Sequence, residues 1–182
     1  MSGIIRASST NDGEPERPSN IVTCEAINYQ TVTSHGNAAV SDGTVKTTIL
    51  YNPGFSLLTP VAYYTNKKGV VHIPVAAPVA LAIDPASLQD IVVKFTSTNS
   101  ATIENLYLYY DNNLVASANP NKSSTFLVSF TKRESTVAAY SAGYPQGICL
   151  TLNINFPELT SSIKLESVKI SYLYDQGNKI PC

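Results

Sequence analysis

Few side chains in this sequence are equipped for chemistry, and their spacing limits what they can do. There are two histidines, His35 and His72, and three cysteines, Cys24, Cys149 and Cys182. Two imidazoles with nearby carboxylates are the raw material of a facial metal site or of acid–base catalysis, but nothing in the spacing joins these two. His72 lies in a β-like run, where an imidazole is ordinarily a half-buried, hydrogen-bonded strand residue. His35 precedes the turn pair Gly36-Asn37, which it is expected to brace. The cysteines are an odd set without a CxxC pair, which fits reduced thiols better than a disulfide framework. No GxSxG elbow, HExxH, GxxxxGK or GxGxxG occurs. Asp111-Asn112-Asn113 opens like a calcium loop but lacks the glycine and the distal glutamate, so a hairpin turn is expected there. Glu104, Glu158 and Glu166 read as isolated, solvated acids. No catalytic residue, metal ligand or cofactor is assigned on these grounds.

One cluster suits binding. In Leu106-Tyr107-Leu108-Tyr109-Tyr110 the leucines are placed to face a core, with Glu104 and Tyr110 in phase at the ends. The opposite face then presents Asn105, Tyr107 and Tyr109 and runs into Asp111, Asn112 and Asn113. Flat aromatics beside amides suit sugar rings, whose C–H faces stack and whose hydroxyls need paired donors and acceptors. These six residues are the candidate ligand site. The competing reading is packing of this face on the other sheet, on a second subunit or on the N-terminal arm.

The elements that must position these residues are strands. At 182 residues the chain suits one domain. Charged residues make up 14%, against roughly 25% in an average soluble domain. Such a chain, with 11 tyrosines and no tryptophan, has the hydroxyl- and amide-rich faces of a β-sandwich. Residues 1–19 form a polar arm and residues 20–182 a single β domain. Short apolar runs alternate with turn residues at 21–31, 38–41 and 45–51, the last closed by Asn52-Pro53-Gly54. Runs at 61–65 and 70–75 flank Asn66-Lys67-Lys68-Gly69, which reads as a hairpin loop. Pro74, Pro78 and Pro85 make residues 75–81 an edge segment or crossing, and Asp84-Pro85 is the one helix start. The cleanest strand places Ile148, Leu150, Leu152, Ile154 and Phe156 on one face. In the last strand the apolar phase moves from Ile163 and Leu165 to Val168, Ile170 and Tyr172, which predicts a bulge near Ser167. The fold class is all-β, an antiparallel two-sheet sandwich of jelly-roll type, with a closed β-barrel as the alternative.

Several partners are excluded or expected on composition. A net charge of −1 and a pI near 6.1 leave no basic face for nucleic acid. No apolar run approaches the ~18 residues of a membrane span. The first residues have no apolar core of a signal peptide, which points to the cytoplasm and leaves the Asn121-Lys122-Ser123 sequon without a role. The arm buries little apolar surface of its own, so an ordered arm implies a homo-oligomer.

The chain resembles an uncharacterised family of small β-sandwich proteins of bacteria and fungi. The resemblance is carried by His35-Gly36-Asn37-Ala38-Ala39-Val40, by Val71-His72-Ile73-Pro74-Val75 with Ala77-Pro78-Val79, by residues 103–111, and by Gln146-Gly147-Ile148 opening a strand that ends at Asn155-Phe156. It implies a β-sandwich and no catalytic residues. Two functions follow as expectations. The first is a non-catalytic binding or assembly module, lectin-like and directed to a glycan or small molecule. The second is a small barrel enzyme, of isomerase or cyclase type, with an apolar cavity lined by tyrosines.

Overall fold

Period-two alternation builds nearly everything that is seen. The computed structural model describes residues 23–43, 47–62, 67–77, 87–130 and 147–181. Within them lie β1 (Thr23–His35), β2 (Val40–Ser41), β3 (Thr47–Asn52), β4 (Phe55–Pro60), β5 (Lys68–Val75) and β6 (Ser87–Thr98). They are followed by β7 (Thr102–Tyr110), β8 (Asn113–Ala118), β9 (Ser124–Ser129), β10 (Ile148–Asn155) and β11 (Ser162–Pro181). The helical content among the described residues is one 3-10 turn, Gly36–Ala38.

The strands form two antiparallel sheets. The six-stranded sheet runs β3-β4-β11-β6-β9, and β1 pairs with β11 beyond β4. The five-stranded sheet runs β2-β5-β10-β7-β8. With β2, β3 and β4 set aside, β1-β11-β6-β9 faces β5-β10-β7-β8, and every connection from β5 onward except the β7–β8 hairpin crosses between the sheets. That wiring is a jelly roll. No ladder joins the two sheets among the described strands, so the barrel alternative is replaced by an open-edged sandwich.

The core lies between the sheets. Val71, Ile73, Leu106, Leu108, Tyr110, Leu150, Leu152 and Ile154 from the five-stranded sheet meet Ile91, Val93, Phe95, Leu165, Val168, Ile170 and Tyr172 from the other, all of them buried. Each such aliphatic side chain contributes about 1.5–3 kcal/mol relative to exposure. Phe95 and Phe126 meet edge to face, with ring centroids 6.0 Å apart. The expected bulge is present: pairing of β11 with β6 slips between Leu165 and Ser167, which keeps both apolar phases pointing inward.

Several expectations need correction. Most of the run 61–65, expected to form a hairpin with β5, lies outside the described residues. The described strand that precedes β5 is β4, in the opposite sheet, and β5 pairs with β10 and β2. β4 itself hid in the sequence because it buries Ser56 and Pro60 beside Leu58, a weak apolar signal. Pro74 is tolerated within β5 because β2 covers that edge only at Val71 and His72, leaving no ladder bond for the missing N–H. The helix start at Asp84-Pro85, the whole of the 1–19 arm and residues 131–146 lie outside the described residues.

The His35–Val40 segment is a fastening. His35 Nδ1 accepts from the Asn37 N–H at 3.2 Å, bracing the turn as expected. Asn37 Nδ2 donates to Asn52 O at 2.9 Å, Ser56 Oγ to Gly36 O at 2.9 Å and Tyr51 Oη to Ala39 O at 2.9 Å. A Cβ on Gly36 would overlap the Leu165 carbonyl, so only glycine brings this turn onto β11.

Candidate functional site

β7 alternates cleanly over its last half, and this aims the candidate residues. Leu106, Leu108 and Tyr110 are buried, while Asn105, Tyr107 and Tyr109 are half-buried on the outer face of the five-stranded sheet. That face points away from the other sheet, so packing against it is not what holds these tyrosines. Glu104 departs from the expected phase. β7 slips against β10 at this point, Ile103 pairs with Ile154 and Asn105 with Asn153, and Glu104 is expelled from the core series. Its carboxylate meets Lys68 Nζ at 2.8 Å.

Strand register assembles the face into rows. Pro74, Cys149, Tyr109 and Leu114 lie side by side on β5, β10, β7 and β8. The next row holds His72, Thr151, Tyr107 and Ser117, extended on β2 by Val40. Then come Val70, Asn153 and Asn105, and last Lys68, Asn155 and Thr102. His72 Nδ1 lies 2.9 Å from Thr151 Oγ1, the half-buried, hydrogen-bonded strand histidine that the sequence implied. The register thus adds His72, Thr151, Asn153, Cys149 and Ser117 to Asn105, Tyr107 and Tyr109. Sequence reasoning missed these additions as site residues because they come from other strands. The alternation of Thr151 and Asn153 with buried leucines was the available signal.

The turn residues sit at one end of the face. Asp111, at φ +50°, is held by two bonds to Gly147: its N–H donates to Gly147 O and its Oδ1 accepts the Gly147 N–H, both at 2.8 Å. Asn112 and Asn113 are exposed. The triplet is therefore a hairpin turn that anchors β10 to β7. Among the described residues no group of three or more His, Cys, Asp or Glu is placed to hold a metal ion. In the same residues no helix is long and apolar enough to cross a membrane.

Two other features are chemically distinct. On the outer face of the six-stranded sheet, Glu166 lies 2.8 Å from Lys94 Nζ and 3.8 Å from Lys164 Nζ, and Lys164 sits 4.5 Å above the Phe55 ring. The Lys94 hydrogen bond, reinforced by the two lysine charges, holds the Glu166 carboxyl below its ordinary range despite partial desolvation. With Glu104 paired to Lys68 as well, the expectation of isolated acids is corrected for both, although such exposed pairs contribute little stability. A cleft of about 530 Å³ opens between β8 and β9, with Val115, Ala116, Val128 and Phe130 in its lining. Among the described residues its lining contains no tyrosine. Tyr110 and Tyr172 instead bury their rings in the core with their hydroxyls 3.0 Å apart.

No family model and no curated protein matches the chain. Among solved structures, it is similar to a protein described as "CBM4 structure and function", at 14% identity and TM-score 0.41 over 80% of this chain and 94% of that one. It is also similar to the CBM36-1 domain of a multidomain xylanase from the hindgut metagenome of Trinervitermes trinervoides. That match has 13% identity and TM-score 0.36, covering 79% of this chain and 96% of that one. A third is the Stig cyclase Fisc from Fischerella sp. TAU, at 10% identity and TM-score 0.39 over 87% and 79%. At these scores the likeness carries neither fold nor ligand. The jelly roll rests on the strand order itself.

Proposed function

We propose that the chain is a non-catalytic binding module that takes a carbohydrate on the outer face of its five-stranded sheet. The observation that supports this reading most is the placement of Tyr107 and Tyr109, half-buried and two residues apart on one face, beside Asn105, Asn153, Thr151 and His72 on the same rows. The phenol rings offer apolar planes to sugar C–H groups, and the amides and hydroxyls supply both donors and acceptors to sugar hydroxyls. Asn112 and Asn113 extend the polar set at the turn, and Asp111 fixes that turn through Gly147. Lys68 and Glu104 neutralise one another at the opposite end, so the described rows favour a neutral ligand over an anionic one.

The packed interior favours this reading over the barrel enzyme. The inward tyrosines fill space and bond to each other instead of lining a cavity. Binding to an array of neutral oligosaccharides tests the proposal. Tyr107→Ala is expected to weaken the positives by about tenfold, or about 1.4 kcal/mol, the scale of one lost stacking ring. Binding unaffected by Tyr107→Ala and Tyr109→Ala together would place the ligand elsewhere.

A further inference from the structure

The four rows of the outer face differ in chemistry, and they are ordered. Pro74, Cys149, Tyr109 and Leu114 form a largely apolar stripe across four strands, about 14 Å long at the usual strand spacing. Leu114 is 53% exposed and Pro74 is exposed, so the stripe is open to solvent at both ends. About 7 Å further along the strands comes the hydroxyl and imidazole row of His72, Thr151, Tyr107 and Ser117. The amides Asn153 and Asn105 follow, beside Val70 on β5, and the Lys68–Glu104 ion pair closes the series. Along β10 and β7 polarity therefore rises in one direction, with Tyr107 and Tyr109 standing on either side of the step.

A plain oligosaccharide satisfies only the polar part of this gradient. Hydroxyls laid over the apolar stripe would lose water and gain no hydrogen bond, which is unfavourable. At the other end, the hydrated ion pair limits how far a chain extends along the strands. An apolar group covering the stripe removes both its own surface and that of Leu114 and Pro74 from water.

We infer that the ligand is an amphipathic glycoside, its sugar over Tyr107, Asn105 and Asn153 and its apolar aglycone on the Pro74–Cys149–Tyr109–Leu114 stripe. This deepens the carbohydrate reading above and rests on it. The sugar supplies orientation through the amides, and the aglycone supplies area.

Matched methyl and phenyl β-glycosides of glucose, galactose, mannose and xylose, titrated calorimetrically into the full chain, test it. For each sugar that binds, the phenyl glycoside is expected to bind at least about tenfold more tightly. Pro74→Ser and Leu114→Ser are each expected to reduce that gain while leaving methyl-glycoside affinity within about twofold. Pro74 does not line the β8–β9 cleft, so its variant separates the stripe from that cleft. Equal affinities within every pair, or a phenyl gain that survives both substitutions, would overturn the inference. Methyl-glycoside binding that still falls with Tyr107→Ala would leave the carbohydrate reading standing. Failure of all eight glycosides to bind would reject both.

Discussion

The Tyr110 hydroxyl donates to the Tyr172 hydroxyl at 3.0 Å, and this bond crosses the core from β7 in one sheet to β11 in the other. Both rings are fully buried. Two polar groups in an apolar interior are thereby made compatible with close packing, and the relative placement of the sheets is fixed at one point. Because β7 also carries Tyr107 and Tyr109 outward, this bond anchors the strand that bears the candidate site.

Tyr172→Phe removes the acceptor of this buried hydrogen bond, which is expected to cost about 0.5–1.5 kcal/mol in denaturant unfolding. Adding Tyr110→Phe is expected to cost less than the sum of the two single changes, since the pair acts as a unit. Strict additivity would mean that the hydroxyls do not depend on each other.

Burial raises the Tyr172 hydroxyl from 10.0 to about 12, and its bond with Tyr110 offsets only part of that rise. The folded state therefore holds this proton more tightly than the unfolded chain. The contribution is complete below pH 10 and is lost as pH rises from 10 to about 12, by roughly 2–3 kcal/mol at most. Equilibrium unfolding measured across that window is expected to show falling stability for the parent chain and a shallower fall for Tyr172→Phe. Equal slopes would contradict the account.

Gly36 has no room for a side chain against the Leu165 carbonyl. Gly36→Ala is expected to destabilise the domain by about 1–3 kcal/mol through forced backbone movement. A change under about 0.5 kcal/mol in chemical denaturation would show that the turn gives way freely.

Where one strand carries its own alternation, the sequence was readable. β10 and the outer half of β7 were legible residue by residue, and the phase change from Leu165 to Val168 disclosed the bulge. β4 was missed because Ser56 and Pro60 take core positions there, Ser56 satisfied by Gly36 O. The partners of β5, which are β10 and β2, were hidden for a different reason. Turn residues mark where the chain bends but not which sheet it enters next, and in a jelly roll successive strands usually change sheets. Glu104 was placed in the core series because a one-residue slip between β7 and β10 leaves no mark in the sequence of β7 alone. For the same reason Tyr107 and Tyr109 were identifiable as a ridge, whereas His72, Thr151 and Ser117 join them only through cross-strand register.

The central claim is that the outer face of the five-stranded sheet binds sugar. Amide and side-chain chemical shifts, followed by nuclear magnetic resonance during titration with an oligosaccharide positive on the array, test it most directly. The expected result is a contiguous set of shifts on Asn105, Tyr107, Tyr109, Thr151, Asn153 and His72, fading toward the Lys68–Glu104 pair and abolished by Tyr107→Ala with Tyr109→Ala. Shifts confined to Val115, Val128 and Phe130 in the β8–β9 cleft, or to the Lys94–Glu166–Lys164 cluster on the opposite sheet, would contradict it.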